Sequence, residues 1–270
     1  MRRTNKLISL ALAILMVFTL TACSESFESA MVRAVREMEN VESVHADTVL
    51  DMGFTVAAMG ESLDMDIGMD MSMDTAGDLT SGELSVNMLG IDVTALYIVE
   101  KRGEVLDVYL SMDGGSTWTS QLSVTSEQLT EGDLNLSYDA GALVNFYLEF
   151  ATNFSDAVDE SINGLDCSRY DGTFPGSQLM EAMSMSGGSS MLEGVDVETL
   201  PDAPISIWID KSSGLPARIS LDMTDAMSQY AGNLLDSSGL DGATMTVDKI
   251  GVTVDLSEYN SAEPMPVPTT

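Results

Sequence analysis

The chain is poor in positive charge, with 11 Lys and Arg against 43 Asp and Glu in 270 residues, and its formal net charge is −32 at pH 7. A surface that acidic excludes electrostatic attraction to nucleic acid or to anionic lipid headgroups. Histidine is scarcer still. His45 stands alone, without a Ser-His-Asp or His-metal companion, which removes the common nucleophilic and metal-centred chemistries. No glycine loop followed by lysine is present to cradle a phosphate. Carboxylates are plentiful, but no spacing pairs two of them for glycoside hydrolysis. No catalytic residue, cofactor or metal site is therefore expected. The one long apolar run near the N-terminus, Leu7 to Leu20, falls short of the roughly 20 residues that a membrane-spanning helix needs. The chain is nonetheless no disordered acidic tail, because 44% of its residues are hydrophobic and they recur periodically.

The apolar run follows Arg2, Arg3 and Lys6 and ends in Leu20-Thr21-Ala22-Cys23, the pattern of a secretion signal. Its last four residues resemble the lipobox of bacterial lipoproteins. The resemblance implies cleavage after Ala22 and a diacylglyceryl thioether on Cys23. Residues 1–22 would then be the signal and 23–29 a lipidated tether. The mature protein would sit outside the cytoplasm, with the cell membrane as its partner through that lipid, in a Gram-positive envelope. Cys167 is then left without a disulfide partner, and its strand-like setting, Leu165-Asp166-Cys167-Ser168-Arg169-Tyr170, suits a small buried apolar residue.

Residues 30–259 read as a single α+β domain. Ala30, Met31, Ala34, Val35 and Met38 make the stripe of an amphipathic helix ending near Asn40. Alternation then takes over from Val44 through Val56. It is cleanest where Leu63, Met65, Ile67, Met69, Met71 and Met73 interleave with Asp64, Asp66, Asp70 and Asp74. Further strands are expected at Leu84 to Met88, Ile91 to Glu100, Val105 to Met112 and from Trp118. Helical spacing returns at Ala142, Leu143, Phe146, Tyr147, Phe150 and Ala151, with Asp139 as N-cap. Gly164 to Phe174 reads as a strand, Gln178 to Met185 as a short helix, and Gly187 to Pro204 as a loop. Strands at Ile205 to Ile209 and Leu215 to Met223 flank the Lys211-Ser212-Ser213-Gly214 turn. A helix over Asp225 to Leu235 and a strand over Met245 to Leu256 complete the domain. Residues 260–270, carrying Pro264, Pro266 and Pro268, read as a flexible tail.

This order predicts a strongly curved antiparallel sheet, a half-barrel, with helices covering its concave face. Three stretches carry a resemblance. They are the Val41-Glu42-Ser43-Val44-His45 lead into a strand, Asn163-Gly164-Leu165-Asp166-Cys167, and Ile207-Trp208-Ile209-Asp210 turning into Gly214-Leu215-Pro216-Ala217-Arg218-Ile219. With the lipobox, they resemble the LolA and LppX/LprG-like envelope lipid carriers, and uncharacterised Gram-positive lipoproteins of the same layout. The resemblance implies a half-barrel enclosing a hydrophobic cavity.

Twenty methionines are the other unusual count. Met65, Ile67, Met69, Met71 and Met73, with Trp208, are the candidate lining for a hydrophobic ligand, because methionine repacks around irregular apolar shapes. Two alternatives stand beside a lipid or acyl-chain site. One is a solid core with an acidic outer face meeting a protein partner. The other is copper binding by the Met-x-Met spacings, since thioethers suit Cu(I).

Overall fold

The structure is a computed structural model that describes residues 26–58, 61–103, 105–125, 140–179, 181, 200–228, 231 and 244–268, the side chains of 58, 120–125 and 140–143 excepted. The expected signal peptide, the lipobox, Cys23 and the Asp139 cap lie outside the described residues. So do most of the two short helices expected after Gln178 and Asp225, and most of the expected Gly187–Pro204 loop.

Helix α1 (Phe27–Met38) starts at Ser26, whose Oγ accepts the Ser29 N–H at 3.4 Å. It buries Ala30, Met31, Ala34 and Met38, whereas Val35, expected on the same stripe, is exposed. Four long strands follow as two hairpins: β1 (Ser43–Ala58), β2 (Glu61–Ala76), β3 (Leu79–Met88) and β4 (Ile91–Arg102). Strands β5 (Val105–Ser111) and β6 (Thr119–Thr125) precede helix α2 (Ala140–Phe150). The chain continues through β7 (Val158–Ile162), β8 (Leu165–Phe174), β9 (Ala203–Asp210), β10 (Pro216–Asp222) and β11 (Thr244–Ser257). Strand β7 is not evident from the sequence, since Val158-Asp159-Glu160-Ser161-Ile162 offers only two apolar residues.

All eleven strands join one sheet in the order β6-β5-β4-β3-β2-β1-β11-β10-β9-β8-β7, and each neighbouring pair is antiparallel. Strands β6 and β7 are its edges, so the sheet is an open half-barrel of α+β class. Period-2 alternation gives it two chemically distinct faces. Val44, Ala46, Leu50 and Met52 of β1 face the helices together with Val252, Val254 and Leu256 of β11 and Ile205, Ile207 and Ile209 of β9. Phe146, Tyr147 and Leu148 of α2 and the buried stripe of α1 close over that face.

The C-terminal segment is pinned where a flexible tail is expected. The Asn260 N–H donates to the Ser43 carbonyl at 2.7 Å, and Asn260 Oδ1 accepts the Glu42 N–H at 2.7 Å. Tyr259 Oη donates to the Pro216 carbonyl, and the Met265 N–H donates to Ser81 Oγ, both at 2.7 Å. Ser261 and Ala262 close a turn by donating their N–H groups to the Glu258 carbonyl.

Candidate functional site

For orientation, the end of the sheet where α1 hands over to β1 at Ser43 is called proximal. The end carrying the Met88–Ile91 turn is distal. The registers Met52↔Ile67, Leu50↔Met69, Thr48↔Met71 and Ala46↔Met73 place the β2 methionine row on the helix-covered face. Asp64, Asp66, Asp70 and Asp74 occupy the opposite face.

Burial along that row falls steadily. Met73 is 0% exposed and Met71 5%, both inside the closed core. Met69, Ile67 and Met65 are half-buried, and Leu63 beyond them is 58% exposed. The same gradient runs along the neighbouring strands. Leu84 and Val86 of β3 are half-buried, while Met88, Ile91 and Val93 at the distal turn are exposed. All of these share the concave face by register. The proximal half of the concave face is therefore filled core; beyond it Ile67, Met69 and Leu84 still pack against that core with part of their surface exposed, and the apolar wall ends in exposed residues at the distal turn. A soluble monomer rarely exposes so continuous an apolar surface without a use for it.

Two hydroxyls stand on the same face where the core begins. Thr48 Oγ1 and Tyr97 Oη are buried and have no hydrogen-bond partner among the described residues. The Tyr97 ring lies over Gly82, whose missing side chain leaves room for it: a Cβ there would come within 2.8 Å of Tyr97 Oη. Burial, with the charge of Asp74 adding to it, pushes the Tyr97 phenol well above its usual range, so it stays a neutral donor.

Trp208 is not brought to the methionine row. Ile205, Ile207 and Ile209 face the core, so parity turns Trp208 to the convex side, where it packs with Cys167 and Ala217. Its indole N–H donates to Glu160 Oε2 at 3.1 Å. Arg169 bridges Glu160 and Asp171 at 2.9 and 3.1 Å, and Arg218 makes a two-pronged contact with Asp255 at 2.5 and 2.6 Å. Cys167 is fully buried beneath this layer, and burial pushes its thiol up. The set is an ion-paired polar layer over a small apolar cluster.

A cavity of about 570 Å³ opens at the proximal end between Met38, Val41, Ser43, Val44, Thr75 and Asn145. Its lining contains none of the candidate methionines. Asp113-Gly114-Gly115, a turn by its sequence, lies between β5 and β6. Asp113 accepts from Ser111 Oγ, Thr117 Oγ1 and the Thr117 N–H, and these donors hold its carboxyl down at about 2. That geometry closes a turn.

No family model and no curated protein matches the chain. Its fold is similar to that of two mycobacterial lipoproteins. One is LppX from Mycobacterium tuberculosis, 16% identical, covering 90% of this chain and 100% of that one, with a TM-score of 0.47. The other is LprF from Mycobacterium bovis, 14% identical, covering 89% and 96%, with a TM-score of 0.48. A DUF1329 family protein from Desulfovibrio piger matches at 13% identity over 86% and 92%, with a TM-score of 0.25. Among the described residues, no helix is long and apolar enough to cross a membrane.

Proposed function

We propose that the protein is a non-catalytic, lipid-anchored envelope lipoprotein that holds an apolar chain, a lipid or acyl compound, along the distal half of its concave face. The burial gradient of the β2 row carries this reading: Met73 and Met71 end a packed core, and Met69, Ile67, Met65 and Leu63 continue it as an increasingly exposed wall. Covering that wall with a hydrocarbon chain stabilises the complex by ~25 cal/mol per Å² of apolar surface removed from water. Thr48 and Tyr97, with buried hydroxyls at the head of the wall, suit a ligand that carries one hydrogen-bonding group such as an ester. Anchorage through Cys23 and an address outside the cytoplasm belong to the same proposal and rest on the lipobox resemblance.

Native mass spectrometry of the protein from its own membranes, compared with Met65→Ser and Met69→Ser, tests the reading. Bound lipid in the parent, reduced in both variants, supports it. Lipid retained equally by both would remove the wall from the account.

The filled proximal half, with Met71 and Met73 inside it, favours a second reading in which the interior is wholly structural. Under that reading the parent carries no lipid at all.

A further inference from the structure

The two-residue turn between β3 and β4 is Leu89-Gly90, with φ of +52° and +78°. Both central residues in the left-handed region define the tight hairpin turn for which Asn-Gly or Asp-Gly is the favoured pair. This chain uses that pair elsewhere: Asn163-Gly164, between β7 and β8, has φ of +51° and +83°. At Leu89 a branched apolar side chain occupies the same strained position and is 63% exposed. It gains neither turn chemistry nor burial there. Nothing within the folded chain explains leucine at that place; a surface that receives it would.

The surroundings say which surface. Met88, Ile91 and Val93 flank Leu89, all exposed, and Leu63 adds to the patch from β2. Asp92 is the acidic residue in the stretch, and the Asn87 amide donates to its carboxylate on the convex side. Asp64 and Asp66 of β2 turn to the same convex side, so the concave side of the tip, with Met88, Ile91 and Val93, carries no charge. It offers no cation to attract anionic headgroups, so the surface that fits is an apolar layer under uncharged headgroups. The described chain begins at mid-sheet: Phe27 stacks on Phe154, and Phe154 lies against Gly172, which the register sets level with Leu50 and Met69. Cys23 is four residues before Phe27, a reach of at most about 14 Å when fully extended. A lipid on Cys23 would hold the sheet within that reach of the membrane.

We infer that the β3–β4 turn is a membrane-docking finger that seats Met88, Leu89 and Ile91 in the interfacial layer of an uncharged bilayer. Its apolar side chains continue directly into the concave wall, so a lipid could pass between bilayer and wall without crossing water. The inference rests on the ligand reading above and deepens it.

The full chain from its own membranes, incorporated into phosphatidylcholine vesicles bearing a quencher in the upper acyl chain, provides the test. A fluorophore is placed on Leu89→Cys and, as the proximal comparison, on Glu39→Cys; Cys167 is buried and does not compete. Quenching several-fold stronger at 89 than at 39 is the expected result, and equal weak quenching overturns the finger. In a chain labelled at Ile91→Cys, adding Leu89→Asn should bring quenching down to the position-39 level while the urea midpoint does not fall. Undiminished quenching there contradicts the role given to Leu89. Phosphatidylserine in the vesicles should lower the signal at 89; an increase contradicts the uncharged surface. Lipid found by native mass spectrometry alongside an unquenched tip would retire the finger and leave the ligand reading standing.

Discussion

His45 Nδ1 stands 2.7 Å from Asp74 Oδ1 across the β1–β2 pair, and its Nε2 stands 3.2 Å from Asp47 Oδ1. Both ring nitrogens thus meet carboxylates on the convex face, close to where Asn260 ties the C-terminal segment to Ser43. Burial works against the charged ring, but the hydrogen bonds to Asp74 and Asp47 and the two negative charges prevail, and the pKa rises above 6.5.

The consequence for stability has a definite sign. A pKa raised by folding contributes stability that is fully present below about 6.5 and lost as pH climbs through the raised value. Solvent screening at this partly exposed site holds the effect under about 1 kcal/mol. Urea unfolding at a series of pH values should show the parent losing stability across that window, with His45→Gln flat. Parallel curves would mean that the pair contributes nothing.

Leu89→Asn should stabilise the fold by about 0.5–1 kcal/mol, because asparagine tolerates the left-handed region that leucine resists. Equilibrium denaturation measures it. A gain in stability from an exposed leucine would mark a position kept for something other than folding.

The methionine row should divide into two classes. Met73→Ala empties a fully buried site and should cost about 2–4 kcal/mol. Met65→Ser, on the half-buried wall, should cost less than about 1 kcal/mol and yet lower bound lipid. Chemical denaturation read beside lipid content separates the two.

How much of this could be read in advance depends on the range of the interaction. Strand β2 was legible because strict alternation of Met with Asp leaves one register, with thioethers inward and carboxylates outward. Trp208 was misplaced although the same rule applies: Ile207 and Ile209 on either side of it claim the core face. Strand β7 escaped because Asp159 and Glu160 fall where apolar residues would announce it. The docking of the C-terminal segment depends on Ser43 and Ser81, each more than 180 residues away, and no local pattern reports such contacts. The open wall was invisible for a related reason. Met65 and Met73 look alike in sequence, and only the placement of α1 and α2 decides which of them is covered.

Asn260→Ala removes the acceptor for the Glu42 N–H and puts alanine at a φ of +60°. A loss of about 1–2 kcal/mol is expected, with faster exchange of the Glu42 amide. Hydrogen exchange would check the second part independently of global stability.

The central claim is that the distal concave wall is occupied by an apolar chain. Native mass spectrometry of the protein extracted from its own membrane tests it most directly. The account predicts a species heavier than the apoprotein by one lipid, released by activation and depleted in Met65→Ser. A protein that arrives at its bare covalent mass under the gentlest extraction, in the parent as in the variant, would contradict it.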